Sequence, residues 1–340
     1  MLRLDDIRKR AADVLPTTTY QPYGDSPTIR SYTRWELFED AFSGDAWDRG
    51  KVIGAVPVDA IPSFSFDPSR SRALAHHFSK LPAIYTWDGS KELLLESGEG
   101  HTAQHILFCV RNDAKIYIRD VSRNSKSATL DILVRPGVSA DISLLVSGSA
   151  PQYLHIRVHL GRESRFTSRL AVIGQDAHVH YEVFLNGERA STDISGGSIG
   201  GRSDVVTDVF AGSKSNRAFV RHLIFSSPGD FLAHRGVIRV ERASSGAEVD
   251  MDSAFLTTGG LAVSVPQLEI LTDDVVHAAH RSRDLSPDDE QVFYAQTRGL
   301  SSDAFLELYV KELLRSRVAS LADAPEVQNA VKSFSESIQR

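Results

Sequence analysis

The sequence predicts a mainly β fold, stacked as a solenoid with helical ends. Three observations carry this. From about residue 103, apolar and polar residues alternate in one short run after another. Glycines 137, 148, 161, 174, 187, 201 and 212 punctuate that stretch at intervals of 11 to 14 residues. Beyond residue 286 the pattern changes to helical spacing with marked start and stop signals.

The chain opens with a short amphipathic helix, in which Leu4, Ile7, Ala11 and Val14 recur every three or four residues. A turn-rich loop follows. Thr33 and Glu36 are then spaced as a capping box and predict a second short helix. Residues 71–81 read as a further helix ending before Pro82, and residues 83–87 as a short strand. Strands come next at Gln104–Arg111, Ala114–Val121, Thr129–Val134 and Ala140–Val146, and later at Ser168–Ile173, His178–Leu185, Ser203–Phe210 and Asn216–Phe225. The run Ser195–Gly201 reads as turn glycine; it lacks the strict pattern of a calcium-binding repeat.

Ser286, Pro287 and the acids after them predict a helix start, with serine as cap and proline in the first turn, and Gly299 as the stop. Ser301 or Ser302 opens a second helix with Phe305, Leu308, Tyr309, Leu313 and Val318 on one face. Pro325 opens a third, carrying Val327, Ala330, Val331, Phe334 and Ile338. Such a unit can cover the open end of a solenoid or present a groove to a partner. The expected parts are an N-terminal helical and irregular region (1–95), a β core (96–275) and a C-terminal helical domain (276–340).

At roughly 150 residues per domain, 340 residues suit two domains or one long repeat-built core with end-pieces. Hydrophobic residues make up 41% and charged residues 24%, which is globular composition. The net charge of -6 argues against nucleic acid as the main partner. No run reaches the length of a membrane span, and the N-terminus lacks the apolar stretch of a signal peptide, so the expected compartment is the cytoplasm. With Cys109 as its one cysteine, the chain forms no internal disulfide and supplies no cysteine cage for a metal by itself. Cys109 lies in an apolar strand and reads as a buried structural thiol.

No P-loop, dinucleotide fingerprint, nucleophile elbow or zinc-protease motif occurs. A carbohydrate-acting β-helix enzyme would need a regular ladder of acids, and none is seen. The histidines invite a closer look. His155 with His159, and His178 with His180, each share a strand face. They read as ordinary face residues first and as metal ligands second. His101 and His105 flank a strand start without ligand spacing. The stretch from Pro266 to His280 places Asp273, Asp274, His277 and His280 where β gives way to α, a site at which a metal could be held or a proton moved.

Three segments resemble one family. Pro266-Gln-Leu-Glu-Ile-Leu-Thr-Asp-Asp-Val is similar to the end of the core in the SufB/SufD iron–sulfur cluster assembly scaffolds. Asp288-Asp-Glu-Gln-Val-Phe-Tyr-Ala-Gln-Thr-Arg-Gly-Leu resembles that family's tail motif, and Gly236-Val-Ile-Arg-Val with Ala247 and Asp250 resembles the preceding rungs. The resemblance covers roughly residues 150–315. It implies a right-handed parallel β-helix between an N-terminal helical region and a C-terminal helical domain. It also implies a non-catalytic subunit that docks a SufC-type ABC ATPase through the C-terminal helices, and pairs with a SufB-like partner or with itself through the β-helix. The family carries Cys-x-His-Gly-Ala-Thr after the paired acids. Here His280 falls on the family histidine with a one-residue insertion, and the cysteine position falls near His277 or Ala278. The resemblance therefore implies a SufD-like member without a stably bound cofactor. His280 and His277 are its candidate contacts to iron or to a transient iron–sulfur cluster at a subunit interface. The rival reading is a divergent interaction protein with no cluster role.

Overall fold

The computed structural model describes residues 84–87, 91–97 and 99–337, and before them only short pieces within residues 2–61. Among those pieces Asp6, Lys9, Ala12 and Asp13 are helical, in keeping with the first expected helix. The helix expected after Thr33 and the one over 71–81 fall outside the described residues.

Five short strands come first: β1 (Leu2–Arg3), β2 (Trp47–Asp48), β3 (Lys51–Ile53), β4 (Val56–Val58) and β5 (Ala60–Ile61). Next are β6 (Ile84–Trp87), β7 (Lys91–Glu96), β8 (His101–Val110), β9 (Ala114–Asp120), β10 (Lys126–Val134), β11 (Ser139–Gly148) and β12 (Gln152–Leu160). Two long strands, β13 (Arg165–Leu185) and β14 (Ser191–Ala211), each run through a corner. The series ends with β15 (Arg217–Ser226), β16 (Phe231–Val240), β17 (Ala247–Thr257), β18 (Leu261–Ile270) and β19 (Val275–Asp284).

From β8 onward the pairing is parallel, and each strand pairs with the strand one full turn of chain away. Thr102 lies beside Lys126, Lys126 beside Gln152, Gln152 beside Ala177 and Ala177 beside Ser203, which are offsets of 24, 26, 25 and 26 residues. Each turn supplies two strands to two facing sheets. Sheet A holds β8, β10, β12, the second halves of β13 and β14, then β16 and β18. Sheet B holds β7, β9, β11, the first halves of β13 and β14, then β15, β17 and β19. This is a β-solenoid, as expected. The glycine interval of 11 to 14 residues is half a turn: Gly137, Gly161, Gly187 and Gly212 mark one corner, and Gly148, Gly174 and Gly201 the other.

Alternate residues point between the sheets, where Ile106, Leu130, Ile156, Val179, Val205 and Ile238 build one continuous core. Corners stack as closely as strands. A Cβ on Gly187 would lie 2.1 Å from the Arg162 backbone nitrogen. Gly187→Ala must push two corners apart, and its expected cost is about 1–3 kcal/mol in urea unfolding; an unchanged midpoint would show that the corner yields freely. The glycines of Ser195–Gly201 are not all turn residues, contrary to expectation. Gly196 and Gly197 sit within β14, where their missing side chains let His222 and Leu314 approach, and only Gly200 and Gly201 turn the corner with φ of 68° and 75°.

Strand β19 continues the sheet to Asp284, beyond the point where alternation fades. It lies on the last turn with one neighbour, β17, so its side chains stay largely exposed and its sequence is polar. Three helices follow: α1 (Asp289–Thr297), α2 (Ser302–Val318) and α3 (Pro325–Glu336). The cap of α1 is Asp288, not Ser286. Asp288 accepts from the Gln291 backbone while the Gln291 side chain accepts from the Asp288 backbone, a capping box two residues later than the expected cap. Ser301 caps α2 and Pro325 opens α3, as read.

The helices lie on the outer flank of sheet B rather than over the open end. Leu306, Val310, Leu314 and Val318 of α2, with Val327, Val331 and Phe334 of α3, pack on Leu145, Ala171, Ile199, Leu223, Phe225 and Leu256. The stripe expected to be buried is thus displaced. Leu308 stands 50% exposed, and Phe305, Tyr309 and Leu313 are half-buried, because a helix resting on a flat sheet buries one narrow line of side chains. An ion pair between Arg119 of β9 and Glu326 of α3 ties the far edge of the helical unit to the solenoid. Among the described residues, no helix is long and apolar enough to cross a membrane.

Candidate functional site

Three arrangements stand out. The first is the open end. β18 pairs with β16 and β19 with β17, after which the chain leaves for the helices. This end exposes Leu261, Ile270, Leu271 and Val276, the last at 74%. His277 and His280 both lie on β19 and are exposed, but they are three residues apart on a strand and so face opposite sides. His280 is registered beside Met251, an interior residue, and its Nδ1 lies 2.9 Å from the Pro266 carbonyl oxygen of β18. It bridges the two sheets at the mouth of the solenoid. His277 is registered beside Glu248 on the outer face. Asp273 and Asp274 occupy the exposed turn before β19. Among the described residues, no three His, Cys, Asp or Glu side chains are grouped to hold one metal ion.

The second arrangement is a ladder on the outer side of sheet A. The paired histidines do share faces, as expected; His155, His178 and His180, with His105 below them, each meet a carboxylate on the next turn, while His159 meets Asn186. His105 Nε2 is 2.7 Å from Asp131, His155 Nε2 is 2.8 Å from Glu182, and His180 Nε2 is 2.9 Å from Asp208. His178 Nδ1 lies 3.2 Å from Asp204, which is also gripped by Arg235 through two hydrogen bonds of 3.0 and 2.8 Å. Thr33 donates to Asp204 at 2.7 Å, and Arg34 pairs with Asp176, so the N-terminal segment is fastened onto this face. Burial pushes Asp204 up, but Arg235 and His178 outweigh it and hold the carboxyl well below the usual range. Burial pushes His178 down. For His180 burial acts downward too, yet Asp208 and Glu182 prevail and raise it. Rings stack up the ladder, with His155 over His180 at 4.9 Å and His159 over Phe184 at 4.8 Å. Cys109 lies on this side of β8, half-buried instead of buried.

The third lies inside. His222 of β15 and His234 of β16 face each other between the sheets, stacked at 4.6 Å. Ser198 is 2.8 Å from His222 Nε2, and Ser253 is 3.0 Å from His234 Nδ1. Burial lowers both rings, His234 to about 4, so each is neutral near pH 7. The two histidines are twelve residues apart on different sheets, and alternation alone did not single them out.

These arrangements define a class: a solenoid held by a buried polar ladder, which offers an uncovered end and a flanking helical unit as surfaces for other molecules, as a scaffold does. Its family can be stated. A model of the SUF system FeS cluster assembly SufBD core domain matches residues 92–311, about two-thirds of the chain, and the chain belongs to that family. It is similar to an iron–sulfur cluster assembly SufBD family protein of Mycobacterium leprae, 29% identical over 185 residues, covering 46% of this chain and 47% of that protein. It is also similar to SufBD family proteins of Mycobacterium bovis and Mycobacterium tuberculosis, each 41% identical over 73 residues, covering 22% of this chain and 18% of theirs. The matches thus span about half the length of the first relative and under a fifth of the others.

Proposed function

We propose that this chain is a SufD-like, non-catalytic scaffold subunit of an iron–sulfur cluster assembly complex. In this reading α1 and the adjoining side of α2 dock a SufC-type ATPase, and the last turn of the solenoid joins a SufB-like partner or a second copy. One observation carries the docking. Phe293 and Tyr294 on α1 are 68% and 59% exposed, beside exposed Leu300 and Leu308, within the segment matched by the family model. Exposed aromatics grouped on one helix are the usual anchors of protein interfaces. The ATP would bind the partner.

The cluster, as cargo, would be built where the solenoid ends meet. His280 faces into that mouth, while His277 lies on its outer rim. Co-expression with the ATPase and affinity capture tests the reading. The unaltered chain should retain the ATPase, and Phe293→Ala/Tyr294→Ala should weaken binding by at least about tenfold with the fold unchanged. Full retention by the double variant would move the docking site elsewhere. Failure of the unaltered chain to capture the ATPase would favour the interaction-protein reading without a cluster role.

A further inference from the structure

The outer face of sheet B is divided. One side is covered by α2 and α3; the other is open and charged. Along a single register row of the open side, Arg169 lies beside Ser195, Ser195 beside Arg221, Arg221 beside Asp252 and Asp252 beside Arg281. Arginine therefore returns on every second strand, at β13, β15 and β19 with β14 and β17 between. Arg283 and Arg317 flank the row at the edge of α2.

Five guanidiniums share three carboxylates. Arg169 and Arg221 reach Asp193 at 3.0 and 3.5 Å. Arg281 pairs with Asp250 and lies 3.7 Å from Asp252, which also takes Arg283 at 2.6 Å and Arg317 at 3.5 Å. The face carries two surplus positive charges on a chain whose net charge is -6. Each guanidinium has five N–H donors and spends only one or two of them on these partners. Arg281 and Arg283 remain almost half exposed. Burial, and the charges of Arg221 and Arg283, push Arg317 down, as crowded cations do.

We propose that this row binds an extended acidic segment of a partner protein, laid across the strands. The spacing selects the ligand. Neighbouring strands are about 4.8 Å apart, so arginines on alternate strands repeat about every 9.6 Å. A polyproline II segment rises about 3.1 Å per residue with three residues per turn, so side chains at every third position repeat about every 9.3 Å along one side. A segment with Asp or Glu at every third position matches the row residue for residue. Asp193, Asp250 and Asp252, interleaved with the arginines, would repel the continuous phosphates of a nucleic acid but can sit between spaced carboxylates. The cations are spread along a line across five strands rather than gathered around one point, which disfavours a small anion. The proposal is independent of ATPase docking on α1, since none of these arginines lies there.

The test titrates the full chain with a labelled proline-rich peptide bearing glutamate at every third position, followed by fluorescence anisotropy at low and high salt. Controls are an isomer with its glutamates clustered, single-stranded DNA and inorganic pyrophosphate. The spaced peptide should bind best, weaken in high salt, and lose about tenfold affinity with Arg169→Gln/Arg221→Gln/Arg281→Gln. Because that variant leaves carboxylates unpaired, Arg169→Lys/Arg221→Lys/Arg281→Lys serves as the folded companion and should lose only part of the affinity. Equal binding of spaced and clustered peptides, or binding untouched by both variants, overturns the proposal. So does tighter binding of DNA or pyrophosphate than of the spaced peptide.

Discussion

Lowering the pH from 6.5 to about 4 should cost the solenoid about 3 kcal/mol of stability at the turns holding His222 and His234. The sign follows from where the proton binds more tightly. His234 falls from an ordinary 6.5 to about 4 in the folded chain, chiefly through burial. The unfolded chain takes the proton first, so the native state is fully stable above pH 6.5 and loses stability as the pH falls towards 4. His222 is depressed for the same reason, with the neighbouring His234 adding to it, and shares the sign. His178 shares it as well. His180 is raised and acts the other way: its contribution is present below pH 6.5 and is lost as pH rises through its folded value. Asp204, held low, gives way only below the ordinary carboxylate range. The inner pair should therefore dominate the first acid step. A solenoid opens locally, so hydrogen exchange in β14 to β17 is the direct measurement. His234→Gln keeps a partner for Ser253 but cannot titrate, and its protection should vary less with pH. Parallel pH profiles for the variant and the unaltered chain would remove His234 as the cause.

Part of this was legible in the sequence. Alternation marked the strands from residue 103, and the glycine interval proved to be half a turn, because each turn needs two corners. Ser301 and Pro325 announced their helices through local chemistry alone. What failed to show depends on register. His105 and Asp131, His155 and Glu182, His180 and Asp208 are 26 to 28 residues apart and meet only when one turn is laid upon the next. β19 was missed because an end strand with one neighbour needs little apolar patterning. The side on which the helices dock was hidden too. Gly197, read as a turn residue, is where Leu314 presses onto the sheet: a Cβ there would lie 2.7 Å from the leucine.

The second large effect is expected at the Asp120–Lys126 pair, six residues apart across one corner. Both side chains are fully buried, and they form an ion pair inside the corner between β9 and β10. Asp120 also accepts from the Ser122 hydroxyl at 2.8 Å. Burial pushes the lysine down, against the pull of Asp120. Removing one partner leaves an ion in a dry corner, so Asp120→Ala should cost about 3–5 kcal/mol. Lys126→Met should cost a comparable amount by stranding the carboxylate. The double variant Asp120→Asn/Lys126→Met should recover most of the loss, since a neutral corner with the Ser122 contact kept needs no ion pair. A double-mutant cycle in urea, with Asp120→Asn and Lys126→Met as its single variants, separates this from a packing effect: additive losses would mean that the pair contributes nothing as a pair. The consequence reaches the helices. Arg119, the residue before Asp120, points to the outer face and holds Glu326 of α3. Strand β9 is thus pinned from inside by Lys126 and from outside by the helical unit. If the pins are coupled, Asp120→Ala should also raise hydrogen exchange in α3, whereas Glu326→Gln should loosen α3 and leave the corner protected. Exchange in α3 that ignores Asp120→Ala would show that the helical unit is held by its apolar stripe alone.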